Sequence, residues 1–404
     1  MNQIPRYSIF LSLTLLLACT SGPSWKRLHT GILTVDTHCD TPMKLVRHNF
    51  DMGMYHAPGA EGSGQIDFPR MKEGGLDAEF FAVFTGQGPR TKERHEKIKQ
   101  FADEIIDSLE AACARYSDMA EIAVTPAQAY KLEKQGRIAA FIGMENGYPI
   151  GTDLANVAHF YNRGVRYITL CHNGNNEICD SSTDDPEWDG LSPFGEKVVK
   201  EMNRLGMIID VSHVSDSTFY DVIRLSEAPV IASHSSCRAL CDHPRDMTDD
   251  MIQTLAEHGG VIQLCLVSSF VKTPKPNKQR DAAFDSLRNK YGDYNTIKDE
   301  TLKETYRNAY YAVMKKYPRE LATVKDLADH VDHVVQLAGI DHVGIGSDFD
   351  GGGGLDGCND VTEFPNITKE LIRRGYSKTD IEKIWGKNVM RVFSKVIETS
   401  KNRG

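Results

Sequence analysis

Short apolar runs recur along the chain, and most are followed by a stretch whose apolar residues fall at helical spacing. Eight such runs predict strands at 32–36, 77–84, 138–144, 165–170, 207–211, 229–233, 260–266 and 342–347. Between them, Ile98, Phe101, Ile105 and Leu109 mark one face of a helix over 94–114. Thr125 and Ser192, each followed by proline, are capping residues that open two further helices. The remaining helices are predicted at 156–163, 216–226, 251–257, 324–337, 368–374 and 379–393, and residues 45–75 are loop-like.

The stretch 207–236 shows the repeat most plainly. A strand ends at His213, a helix follows, and a second strand ends at His234. Two strands joined through one helix lie parallel. Both imidazoles are then expected at the carboxyl ends of neighbouring strands, where α/β proteins bind ligands. One histidine ending a strand is more often a loop or core residue; two in equivalent places point to metal. Repeated eight times, the unit predicts an α/β fold of the (β/α)8 TIM-barrel type. An open doubly wound sheet has the same periodicity, but it spreads strand ends along a line, whereas closure gathers them at one rim. Residues 267–340 form a long insertion between strands 7 and 8, either a lid or a solvated helical appendage. Its charged, tyrosine-bearing part, 289–317, has helical character. Gly351–Gly354 after the last strand is expected to be a mobile loop; without a following Gly-Lys-Ser/Thr it is no phosphate cradle.

The 404 residues are 40% hydrophobic and 25% charged, ordinary for a globular protein, and the net charge of −9 gives no reason to expect nucleic acid. The amino terminus differs. Arg6 precedes an apolar region, 9–17, that is too short to span a bilayer and is closed by Ala18-Cys19. The division expected is a signal peptide at 1–18, a tether at 19–30 and one domain at 31–404. Leu16-Leu17-Ala18-Cys19 resembles a bacterial lipobox, which implies lipidation of Cys19 and an envelope protein anchored to, but not spanning, a membrane. The alternative is an ordinary cleaved signal. The other cysteines have no CxxC or zinc-finger spacing, and Cys39, Cys171 and Cys265 fit as small apolar filler in strands.

The residues that end the strands carry the candidate chemistry. His38 and Asp40 stand two apart on extended chain and face one side. With Glu145, His213 and His234 they make three imidazoles and two carboxylates, a donor set suited to zinc. Five ligands exceed one open tetrahedral site and fit two ions sharing a carboxylate; Glu145 lies between the two groups in chain order. Two such ions about 3.5–4 Å apart hold a hydroxide and polarise a carbonyl. Asp348 can take a proton from metal-bound water or pair with an ammonium, and His172 can donate to an oxyanion. Arg245 can hold a carboxylate through two hydrogen bonds, or be a surface charge.

The motifs Asp36-Thr37-His38-Cys39-Asp40, Gly143-Met144-Glu145-Asn146-Gly147, Ser212-His213, Ser233-His234-Ser235-Ser236 and Gly346-Ser347-Asp348-Phe349-Asp350-Gly351 resemble those of the membrane (renal) dipeptidase family of zinc hydrolases, among the amidohydrolase-type barrels. The likeness runs from about residue 30 to about 395. It implies two zinc ions per subunit, one on His38 and Asp40, one on His213 and His234, bridged by Glu145. It further implies His172 and Arg245 on the substrate, Asp348 on its amino group and as proton shuttle, dipeptide cleavage tolerating a carboxyl-terminal D-residue, and a homodimer. Leu264-Cys265-Leu266-Val267 departs from the aromatic sequence frequent in animal members, and 267–340 is longer than usual, so substrate preference transfers least. Other readings keep the barrel for a cyclic amide or lactone, or make it a non-catalytic binding lipoprotein of the envelope.

Overall fold

The computed structural model describes residues 24–402 apart from 49, 61, 295 and 296. The strands are β1 (Val35–Cys39), β2 (Ala78–Phe84), β3 (Ala120–Ile122), β4 (Ile138–Glu145), β5 (Val165–Thr169), β6 (Ile208–Asp210), β7 (Ile231–Ser235), β8 (Val261–Cys265) and β9 (Val343–Gly346). All pair in parallel, in the order β1-β2-β4-β5-β6-β7-β8-β9, with the short β3 attached beside β4. Just beyond β9 the ring closes. The Asp348 amide donates to the His38 carbonyl (2.9 Å), and the Asp40 amide to the Phe349 carbonyl (2.8 Å). This is a (β/α)8 barrel, and closure brings the first and last strand ends together.

The strands are almost wholly buried on both faces, as a parallel sheet covered by helices requires. Phe80, Phe141 and Tyr167 stack at 4.7 and 5.5 Å, and Phe393 of the helix Asn388–Lys401 packs against them. Each such ring removed from water contributes about 1.5–3 kcal/mol. The capping expectations hold in detail: Thr125 accepts from the Gln128 amide and Ser192 from the Gly195 amide.

Several boundaries differ from expectation. β1 and β7 start and end later than the apolar runs, so His38 and His234 stand within strands rather than after them. Pairing continues because the centre of the barrel excludes water, and unpaired backbone there would be costly. The loop-like stretch 45–75 contains the helix Phe68–Gly74, capped by Asp67 with proline in its first turn, and the helix Pro42–His48 runs into its start. The insertion comprises Ser268–Val271, Lys278–Tyr291 and Glu300–Lys316 before the helix Val324–Ala338; Gly292, at φ 81°, ends the helix within 289–317. A π-helical turn, Lys383–Lys387, interrupts the helix expected at 379–393. Gly351–Gly354 begins as a hydrogen-bonded turn, in which the Asp348 carbonyl accepts from the amides of Gly351, Gly352 and Gly353.

The expected tether is partly folded. Ser24–His29 is helical, and the buried His29 meets Thr368 Oγ1 at 2.7 Å and the Gly74 carbonyl at 2.9 Å. Packed structure therefore begins before residue 31. The signal region 1–18 and Cys19 lie outside the described residues. Among the described residues, no helix is long and apolar enough to cross a membrane.

Candidate metal centre

At the carboxyl ends of the strands, Glu145 stands at the centre of the imidazoles. Its Oε1 lies 3.0 Å from His213 Nε2 and 3.5 Å from His234 Nε2, while Oε2 lies 3.6 Å from His38 Nε2. Asp40 Oδ2 is 3.8 Å from His38 Nε2. Ligand atoms within 4.8 Å of one another form three overlapping groups: His38, Glu145 and His234; Glu145, His172 and His213; and His38, Asp40 and Asp348. Every sequence candidate in the described chain except Arg245 belongs to one of them. The two oxygens of Glu145 serve different sets of imidazoles, the arrangement a bridging carboxylate needs.

Hydrogen bonds behind the rings fix which nitrogen carries the proton. Tyr167 donates its hydroxyl proton to the Thr37 carbonyl (3.1 Å) and so accepts from His38 Nδ1 (2.8 Å). Ser233 donates to Asp210 Oδ2 (2.6 Å) and accepts from His234 Nδ1 (2.7 Å). His213 Nδ1 donates to Asn173 Oδ1 (3.2 Å). Each ring, when neutral, therefore turns an Nε2 lone pair inward. Burial holds both His213 and His234 well below the ordinary imidazole pKa, so they stay neutral. Their Nε2 atoms are only 2.9 Å apart. Two lone pairs so close repel unless a cation lies between them.

The carboxylates make the same demand. Burial, with Glu145 nearby, raises the Asp40 pKa to about 6, and burial with Asp40 pushes Asp348 well above the carboxylate range. Glu145 shifts the other way: burial would raise its pKa, but the imidazoles around it, His38 foremost, hold it well below the usual carboxylate range, and against burial Tyr167 and Glu145 in turn raise the His38 pKa. His38 Nε2 and Asp40 Oδ1 are buried without hydrogen-bond partners among the described residues. Three acids and three imidazoles that aim their Nε2 atoms at one another, clustered at one rim, suit divalent cations.

Backbone geometry aims these groups. Asn146, His213, Asp348 and Asp350 all have positive φ, from 57° to 73°. For a non-glycine residue this costs on the order of 1 kcal/mol or more, and such strain clusters at functional sites.

Around the cluster lies a cavity of about 380 Å³, with Phe84, His172, Arg245, Phe270 and Asp348 in its wall. Arg245 is no surface charge, being 4% exposed. One Nη donates to the His234 carbonyl (3.1 Å), the guanidinium lies 5.6 Å from the Phe270 ring centroid, and Nε has no partner among the described residues. It retains donors for an anion. His172 lies 3.8 Å from Glu145, and burial lowers its pKa. Tyr167, Asn173 and Ser233 hydrogen-bond the three imidazoles, with Asp210 behind Ser233; the sequence assigns none of them that role, although Ser233 stands in one of the motifs above.

A closed parallel barrel with this rim is a metal-binding (β/α)8 protein. The chain belongs to the membrane dipeptidase family, peptidase family M19, whose profile matches residues 24–403. It is 33% identical over 339 residues to dipeptidase aclJ of Aspergillus oryzae, covering 82% of this chain and 70% of that protein. The crystal structure of the probable dipeptidase PvdM from Pseudomonas aeruginosa superposes with a TM-score of 0.81 at 32% identity, covering 93% of this chain and 98% of the other. Dipeptidase AC, a metallo peptidase of family M19, gives 0.71 at 25% identity over 90% of this chain and 98% of its own. Family and residue clusters together make this a metallo-dipeptidase of family M19.

Proposed function

We propose that the chain is a di-zinc dipeptidase that hydrolyses the peptide bond of dipeptides and tolerates a D-residue at the carboxyl-terminal position. The observation that carries this is Glu145, whose two oxygens face different imidazoles at 3.0 and 3.6 Å. His38 and Asp40 would hold one ion, His213 and His234 the other, and Glu145 both. Bound there, a pair of divalent ions supplies a water acidic enough to attack at neutral pH and polarises the scissile carbonyl.

The chain's own groups do the rest. Arg245 binds the free carboxylate of the substrate, its planar fork backed by Phe270. Asp348 pairs with the free ammonium and carries a proton to the leaving amine; its raised pKa suits it to holding one. His172, at the cavity wall opposite, donates to the oxygen that gains charge. Arg245 favours dipeptides over a cyclic amide or lactone, since neither offers a free carboxylate. The full donor set speaks against a binding protein without catalysis.

Hydrolysis of L-Ala-D-Ala, abolished by a chelator and restored by zinc, is the expected result. Elemental analysis should find about two metal ions per chain. Absence of cleavage by metal-replete protein sinks the reading. Arg245→Ala should raise KM by about tenfold or more with kcat less affected, a lost charge-assisted bond being worth about 1.5–3 kcal/mol. An unchanged KM removes Arg245 from the site.

The proposal extends to location. Cys19 carries the lipid anchor of a bacterial envelope protein acting as a homodimer. Fatty-acid labelling that survives Cys19→Ser rejects the anchor.

A further inference from the structure

The helix Ser24–His29 packs on the helix Pro365–Arg373, and the charge these two expose is of one sign. Lys26, Arg27, Lys369 and Arg373 are exposed. The one carboxylate on either helix, Glu370, is held by Arg373 at 2.6 Å and by Arg374 at 3.0 Å. Two of the cations converge on Trp25: Lys26 Nζ and Lys369 Nζ each stand 5.5 Å from its ring centroid. Neither ammonium has a carboxylate partner among the described residues. Positions 369, 372 and 373 share one side of their helix, so Ile372, 37% exposed, stands beside Lys369 and Arg373.

We infer that this face rests on a membrane surface of anionic phospholipid. The inference depends on the lipid anchor proposed at Cys19. Cys19 to Ser24 is five residues of chain, which reach at most about 18 Å when fully extended. An anchored protein therefore keeps its first helix close to the headgroups. An anionic leaflet repels a chain of net charge −9 as a whole. Salt, however, screens charges more than about 8–10 Å away, so the nearest face decides the sign. Each ammonium held at such a surface strengthens binding by about fivefold. Two like charges gathered at one ring repel each other, and lipid phosphates relieve that repulsion. Indole suits the same depth, with an apolar body and one N–H donor, and Ile372 adds apolar surface beside it. His29 meets the Gly74 carbonyl, and Gly75 accepts from Thr34 just before β1. The helix thus lies at the end of the barrel away from the metal centre, and the seated protein leaves its substrate cavity open to solvent.

The test places the full lipidated protein in vesicles of phosphatidylglycerol or phosphatidylcholine with brominated acyl chains, which quench indole on contact. On phosphatidylglycerol about a third of the tryptophan emission should be lost, the share of Trp25 among the three tryptophans, with little lost on phosphatidylcholine. The difference should vanish in about 0.5 M salt, in Trp25→Phe and in the double variant Lys26→Glu with Lys369→Glu. Ala-Ala cleavage should be the same in all of them, because none of these residues lines the cavity. Equal quenching on both lipids, or none on either, overturns the inference; fatty-acid labelling of the same protein then shows that the anchor still stands. Absence of labelling removes the anchor and the inference with it. Trp25 shielded from aqueous acrylamide yet untouched by brominated lipid means that a second copy of the chain covers this face, which also overturns it.

Discussion

Replacing Glu145 with glutamine is expected to lower the metal content of the purified protein from about two ions to one or fewer, and kcat/KM by about 10³-fold. Glutamine keeps the shape of the side chain but removes its charge and one acceptor. Its amide nitrogen would face an imidazole Nε2, either the 3.0 Å partner on His213 or the 3.6 Å partner on His38. Donating there, it occupies the lone pair that a cation needs. The three carboxylates of the site are reduced to Asp40 and Asp348, both of which burial already pushes towards protonation. A metal pair contributes several kcal/mol of charge stabilisation, and each 1.36 kcal/mol is a decade in rate, which gives the size of the effect. Elemental analysis and steady-state kinetics on the same preparation decide it. Full metal content with near-normal turnover would show that Glu145 is not a shared ligand.

The strand ends were the legible part of the sequence, because strand alternation and parallel connection are local rules. Repetition of the strand-helix unit is enough to place His38, Glu145, His172, His213, His234 and Asp348 at one rim. The residues that aim them were not legible. Tyr167 acts on His38, Asn173 on His213, and Asp210 on His234 through Ser233; apart from the neighbours Ser233 and His234, these contacts join different strands or loops and exist only in the folded barrel. The helix Phe68–Gly74 is another case. Asp67 and Pro69 are an ordinary capping signal, but the glycines around residues 53–64 mask it. Gly351–Gly354 shows a third kind of failure. Four glycines in a row read as freedom, whereas at Gly351 the need is for closeness.

Gly351→Ala should therefore cut kcat by about 10²-fold while the protein still folds. A Cβ at this position would stand 2.0 Å from Asp40 Oδ2 and 2.2 Å from Asp348 Oδ1, well inside van der Waals contact. The positive-φ residues of this turn are Asp348, Asp350 and Gly354; Gly351 itself is not among the positive-φ glycines, so alanine meets no left-handed backbone there and the cost is steric. Two carboxylates must move, one beside His38 and one at the boundary of the substrate cavity. A displacement of about 1 Å in a positioned group is enough for a loss of that size. Overpacking itself costs about 1–3 kcal/mol, a modest shift in melting temperature. Gly86→Ala is the matched control, since its Cβ would meet nothing within 4 Å. Turnover, metal content and melting temperature measured on both variants separate the causes. Loss of kcat in Gly351→Ala alone, with a folded protein, places the fault in Asp40 and Asp348. Normal turnover with full metal would mean that catalysis does not depend on where this backbone holds those two acids.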